Sequence, residues 1–216
     1  MTAIPDRPKI YHITHIDNLP SIATGIGLVS DAQRIATDLS CSVVGMSTIK
    51  QRRLEEIEVA CHPGTTVGQY VPFYFCPRSI MLYILNMSNH PDVTYRGGQQ
   101  PIVHLQADFY QVINWANSQA IPWAFSEGNA GSYLTRFHND PSQLNQIDWT
   151  AVAATDFRNP KTKEGKQAEF LLFNVFPWTL IEKIGIINST IESKTQTALA
   201  IADHQPAITV EPSWYF

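Results

Sequence analysis

Glu169 carries the most chemistry in this sequence because of the residues on its C-terminal side. Residues 170–176 form an apolar run of aromatic, leucine and β-branched residues, broken only by Asn174 and stopped by Pro177. Such a run reads as a buried strand. An ionised carboxylate at its edge is costly unless it is paired or used. Two readings stay open: a strand-start glutamate reaching solvent or a lysine, or an acid held at a site. Arg158, Lys161, Lys163 and Lys166 precede it in a basic loop, either solvated or able to take phosphate. A second cluster, Lys50, Arg52 and Arg53, is followed by Glu55, Glu56 and Glu58. Alone, it is a surface segment whose charges compensate one another.

The elements that must position these groups are short. Lys9–His15 alternates as a strand, with Tyr11, Ile13 and His15 on one face and His12 and Thr14 on the other. His12 therefore faces either a site or a satisfied place in the core. Asp17 is suited to cap a helix over Leu19–Thr24, ended by Gly25 and Gly27. Residues 30–48 have weak periodicity and read as a long surface loop with room for a helical turn, of the kind that often serves as a lid. Residues 67–75 are the most aromatic segment; Pro72 within them marks an edge, a bulge or a break. Their rings are core, or walls for a planar ligand.

Further along, Ser79 caps a helix over Ile80–Met87, residues 102–105 form a strand, and 107–116 a helix. Residues 123–126 read as a strand, closed by a small-residue loop at 127–132. That loop allows close backbone approach to a ligand but matches neither a dinucleotide fingerprint nor a P-loop. Residues 133–138 read as helix, and 147–154 as strand or helix. Then come a short helix (177–183), a strand (184–187), a helix (190–202) and a last strand, Ala207–Val210. This order predicts a mixed α+β fold rather than a regular βαβ alternation.

At 216 residues and 44% hydrophobic, the chain fills one core, and we expect a single domain over residues 1–216. A formal charge of -4 gives no global basic field, so any nucleic-acid site is a local patch. Three cysteines without CxxC spacing and scattered histidines without HExxH argue against a disulfide framework and a metal site. The first nine residues lack an apolar h-region and no run approaches transmembrane length. We therefore expect no membrane span, and a reduced, cytoplasmic setting.

Several stretches occur together and in order: Tyr11-His12-Ile13-Thr14-His15-Ile16-Asp17-Asn18-Leu19-Pro20, Tyr70-Val71-Pro72-Phe73-Tyr74-Phe75 and Arg78-Ser79-Ile80-Met81-Leu82-Tyr83. The Glu127-Gly128-Asn129-Ala130 loop and the segment around Ala168-Glu169 come after them. With these, the chain resembles the DarT family, DNA ADP-ribosyltransferase toxins of bacterial toxin–antitoxin pairs. The likeness spans residues 10 to about 187 and skips 37–48 and 91–100.

The resemblance implies an α+β, ADP-ribosyltransferase-like fold, in which two small twisted sheets form an NAD cleft flanked by short helices. NAD would be the co-substrate, with no metal. Cleavage of the nicotinamide–ribose bond passes through an oxocarbenium-like transition state, as in glycoside cleavage. A carboxylate near the ribose holds its hydroxyls and balances the growing charge. By resemblance that residue is Glu169, with a second role as general base open to it; Gln167 gives the Gln-x-Glu spacing of several such enzymes. Arg53, with Arg52 as alternative, is the family's arginine, suited to phosphates, ribose or the acceptor base. His12 and Thr14 would donate to nicotinamide or ribose oxygens, Asn18 would lie near the adenosine half, and Tyr74, Phe75 and Met81 would line the nicotinamide pocket. Asn129 stands where some relatives carry His, which leaves its role open.

The acceptor implied is a base, thymidine or guanosine, in a preferred sequence of single-stranded DNA. Arg158, Lys161, Lys163 and Lys166 would take its phosphates, and Trp123 or Trp149 would stack its bases. A macrodomain antitoxin of the DarG type is the expected partner, and a monomer the expected state. Two other readings remain: an enzyme of this fold acting on RNA or protein, and a catalytically silent NAD-binding module. Retention of Glu169, Arg53 and His12 together argues against the silent module, which has no need of the carboxylate.

Overall fold

A computed structural model describes residues 3–216. Its first part runs β1 (Lys9–His15), α1 (Leu19–Thr24), β2 (Leu28–Val29), α2 (Asp31–Ala36), α3 (Ser47–Glu55), β3 (Tyr70–Tyr74) and α4 (Ile80–Met87). The middle holds β4 (Ile102–Asp108), α5 (Phe109–Ser118), β5 (Trp123–Asn129), β6 (Phe137–His138), α6 (Trp149–Ala153) and α7 (Pro160–Gly165). The last part holds β7 (Ala168–Phe173), β8 (Val175–Phe176), β9 (Lys183–Ile186), α8 (Ser189–Ala198) and β10 (Ala207–Val210).

The main sheet has the order β10-β9-β4-β1-β3-β7-β5-β6, and β2 pairs separately with β8. Its two four-stranded halves barely join. β1 matches β4 over seven register pairs but meets β3 only at Tyr11 and Tyr74. Pro72 explains the split. Its carbonyl faces β1, where it accepts a hydrogen bond from the His12 imidazole at 2.8 Å, and it has no N–H with which to extend the ladder. The expected pair of small sheets is thus two halves parting at one proline, and the cleft opens where they part.

β7 is buried along both faces, as its apolar run predicts. Phe170 and Leu172 point into the main core with Phe109, Phe125 and Trp123, while Leu171 joins a smaller cluster with Val67, Tyr70 and Ala130. Alternation puts Glu169 on the Leu171 side, away from the main core. The strand ends three residues sooner than the apolar run. Asn174 adopts φ 58°, a left-handed conformation that asparagine tolerates, and turns the chain into β8.

Several expected elements differ. Residues 30–48 are not one loop: Ser30 caps α2 by accepting from Gln33 N–H, and α3 starts at 47, leaving 37–46 irregular. The basic cluster Lys50–Arg53 lies within α3. Asn18, not Asp17, immediately precedes α1. β4 continues through Asp108, which caps α5 by accepting from Gln111 N–H. Residues 127–129 extend β5, and 133–138 hold no helix but the strand β6 paired with β5. The basic loop contains α7, capped by Asn159, and 147–154 resolves as the helix α6. For α2, α5, α6 and α7 a capping side chain sets the start, and for β4 and β6 a strand partner sets the extent. Among the described residues no helix is long and apolar enough to cross a membrane.

Candidate active site

The split between β1 and β3 opens into a cavity of about 270 Å³. One wall is strand: His12 and Thr14 from β1, Tyr74 from β3 and Glu169 from β7. The facing wall is helix and loop: Asp31 and Arg34 from α2, residues 41–46, and Lys50 and Arg53 from α3.

Glu169 is 2% exposed. Its Oε1 accepts from Arg53 Nη1 at 3.2 Å and from the Ala130 amide at 3.1 Å, and its Oε2 from Arg53 Nη2 at 2.9 Å. This is a two-pronged guanidinium–carboxylate pair. Three of roughly four lone-pair sites are filled, and Arg53 spends two of its five N–H donors; both groups keep capacity for a ligand. Burial works against the charge on Arg53, and the adjoining carboxylate more than offsets this, holding the guanidinium above its ordinary pKa. The Glu169 backbone is pinned as well, since its N–H donates to Ser126 Oγ at 3.1 Å, which in turn donates to the Gly128 carbonyl. Of the two adjacent arginines, Arg53 is the one that meets Glu169. Arg52 points elsewhere, 5.5 Å from the centre of the Tyr133 ring.

Gly68 sets the position of α3. A Cβ there would lie 2.7 Å from Leu54 Cα, so only glycine lets the helix close on the strand wall. A bulge in β5 between Phe125 and Asn129 aims the Ala130 N–H at Glu169. The small-residue loop does bring backbone close, but to carboxylates of the chain itself: the Asn129 N–H donates to Glu164 Oε1. The Asn129 side chain meets Gln167 at 3.3 Å, and both lie on the cleft rim.

His12 takes part differently from the donor expected. Its Nδ1–H goes to the Pro72 carbonyl, and burial holds its pKa below the imidazole range. The ring is neutral and its second nitrogen is an acceptor. Asn18 is also committed. Its amide donates to Thr14 Oγ1 and the Ser42 carbonyl, and its oxygen accepts from the Ser42 N–H at 2.8 Å. It holds the 37–46 segment over the cleft instead of offering free donors. Tyr74 lies opposite Glu169 in register, and burial together with that carboxylate raises its phenol pKa, so it remains a donor.

Met81 lines the cleft; Phe75 does not, being 5% exposed and packed on Phe109, Phe125 and Trp149. Lys166 is 3% exposed with Nζ on the Val152 carbonyl, so it cannot serve as a surface cation. Trp123 and Trp149 are buried, with their indole N–H groups satisfied by Asn117 and Leu144. Lys161 and Lys163 lie on α7, beside the cleft rim, and Arg158 is held by Asp156.

Sequence reasoning missed Arg34, Asp31 and the apolar lining at 43–46. Arg34 was findable from the Ser30 cap, which phases α2 and puts Asp31 and Arg34 one turn apart. Its Nε is buried without a hydrogen-bond partner, 3.6 Å from Asp31. With Lys50 and Arg53, the lining holds three cations against two carboxylates, Asp31 and Glu169. That surplus suits a dinucleotide's pyrophosphate.

The family model described as "ssDNA thymidine ADP-ribosyltransferase, DarT" matches residues 11–216. A DNA ADP-ribosyl transferase of Thermus aquaticus is 37% identical over 216 residues, covering 99% of this chain and 91% of that protein. The structure superposes on Thermus sp. 2.9 DarT in complex with ADP-ribosylated ssDNA with a TM-score of 0.89 at 32% identity, covering 100% and 99% of the two chains. The same protein in complex with NAD+ matches with a TM-score of 0.80 at 31% identity, over 99% and 100%. With the split sheet and the buried carboxylate–guanidinium pair beside them, these matches mean that the chain belongs to the DarT family of DNA ADP-ribosyltransferases.

Proposed function

We propose that this chain, as one DarT-like domain, transfers ADP-ribose from NAD onto thymidine bases of single-stranded DNA and releases nicotinamide. The observation that carries the reading is the Glu169–Arg53 pair, buried at a cleft whose remaining cations outnumber its carboxylates. Thymidine rather than guanosine accords with the family description. NAD would supply the ribose carbon and a leaving group that departs as neutral nicotinamide.

The residues divide the work. Arg34 and Lys50, with the spare donors of Arg53, hold phosphate. Glu169 keeps a lone pair for a ribose hydroxyl and sets negative charge beside the carbon that becomes electron-poor. His12 accepts from a ligand N–H or O–H, Thr14 steadies Asn18, and Tyr74 and Met81 wall the nicotinamide end. The acceptor ring nitrogen must lose a proton as it bonds to the ribose. Glu169 can take that proton once Arg53 turns toward the incoming substrate and leaves a carboxylate oxygen free. Lys161 and Lys163 steer the strand; Asn129 and Gln167 meet the base at the rim.

The acidic overall charge is the one feature favouring RNA or protein as acceptor, and it is weak beside the complex of Thermus sp. 2.9 DarT with ADP-ribosylated ssDNA. A monomer in the cytoplasm, opposed by a DarG-type antitoxin, completes the reading; in Thermosipho africanus a DNA ADP-ribosyl transferase and a DNA ADP-ribosyl glycohydrolase form one fusion protein. Incubation with NAD and single-stranded DNA oligonucleotides differing only in thymidine or guanosine content, with RNA and protein acceptors alongside, read by intact mass, tests it. One ADP-ribose added only where thymidine is present is the expected result. Addition to RNA or protein alone would overturn the acceptor while leaving the cleft's use of NAD intact.

A further inference from the structure

A second cavity, of about 280 Å³, opens beside α4, lined by Arg78, Tyr83, Phe216 and the segment 155–158. Three rings meet there edge to face: centroids lie 5.3 Å apart for Tyr83 and Phe157, 5.2 Å for Tyr83 and Phe216, and 5.9 Å for Phe157 and Phe216. Arg78 stacks on Phe216, its guanidinium carbon 4.4 Å from the ring centre, and its buried Nε has no hydrogen-bond partner. Arg158 adds a second cation against one carboxylate, Asp156.

Planar rings next to guanidinium groups suit a nucleobase with its phosphate. The location matters as much. α4 divides the two cavities, sending Met81 and Ile84 to the main cleft and Tyr83 to this one. They are therefore about 10 Å apart, one helix diameter, within reach of a neighbouring nucleotide on an extended strand.

We infer that this cavity is a subsite for a base flanking the modified one in single-stranded DNA, stacked on Tyr83 and Phe157, with Arg78 on the adjoining phosphate. It rests on the DNA-transferase reading and adds a place where sequence context is sensed. Nothing in the main cleft requires it, since neither ring touches Glu169 or Arg53.

The test uses the full chain, Phe157→Ala and Tyr83→Leu, and labelled single-stranded oligonucleotides carrying one abasic residue at successive positions, read by fluorescence anisotropy. In the parent protein, one abasic position should weaken binding about tenfold, as expected for loss of one stacked base. In both variants that penalty should vanish while penalties elsewhere persist. NAD binding without DNA controls for the fold. An identical abasic profile in parent and variants overturns the subsite. Position-specific coupling without any ADP-ribose transfer keeps the subsite and overturns the transferase reading. Transfer without coupling does the reverse, and no binding of single-stranded DNA overturns both.

Discussion

On one wall of the cleft Glu169, Tyr74, His12 and Thr14 project from three neighbouring strands, while on the other Asp31, Arg34, Lys50 and Arg53 project from two short helices. The strand wall is held within each half by a ladder, β1 to β4 and β3 to β7, and by a core that buries Phe170 and Leu172 completely. The helix wall is held largely by side-chain pairs and one close approach, among them the Arg53 pair, the Lys50–Asp31 pair at 2.8 Å, the Asn18 clamp on Ser42, the Thr66 hydroxyl on the Leu54 carbonyl and the contact at Gly68. Groups that must keep their geometry during bond exchange belong on rigid elements. Groups that admit a ligand and close on it belong where local opening is cheap.

Four substitutions and one control can break or sharpen this contrast. Glu169→Gln on the strand wall should have the largest effect, lowering transfer by about 10²–10³-fold, the loss typical of a transition-state charge stabiliser. Mass spectrometry of the DNA product and calorimetry with NAD separate lost chemistry from lost binding; near-parental transfer would remove the strand wall from the reaction. Arg53→Lys should cost roughly 10–100-fold, since a point charge cannot replace two charge-assisted bonds. Arg52→Ala, the control beside it, should change little, and the reverse ranking would mean that α3 turns on ligand binding.

Gly68→Ala acts on the helix wall without touching any polar group. The added Cβ meets Leu54 backbone, so α3 must shift, at a cost of about 1–3 kcal/mol. Thermal melting should fall and NAD affinity with it; an unchanged melt with unchanged affinity would show that α3 has room to spare. The smallest effect belongs to Asn18→Ala, about 1 kcal/mol, seen most clearly as faster hydrogen exchange across residues 37–46. Protection equal to the parent's would mean that the apolar lining, not the amide, holds that segment.

Much of the strand wall was legible beforehand because it derives from alternation. The apolar run after Glu169 predicts β7, and a proline among aromatics predicts a break, which became the opening of the cleft. The helix wall was poorly legible. Residues 30–48 have no periodicity strong enough to show α2, and one capping serine decides it. Phe75 and Lys166 were placed at the site by resemblance and by charge. The fold buries both, since Phe75 packs against rings from β5, α5 and α6, and the Lys166 ammonium caps a carbonyl of α6. Neither outcome can be read from neighbours in the chain.

The sequence alone determined which strand carries the carboxylate, which face of β1 carries His12 and Thr14, and the family to which the chain belongs, because these depend on local alternation and unusual short stretches. Only the tertiary structure decided that Arg53 rather than Arg52 meets Glu169, that His12 spends its Nδ1–H on the Pro72 carbonyl, and that Asn18 is a clamp. Each of these depends on the phase of a helix or the direction of a carbonyl across a gap of 24 to 116 residues, which no periodicity in one chain segment encodes.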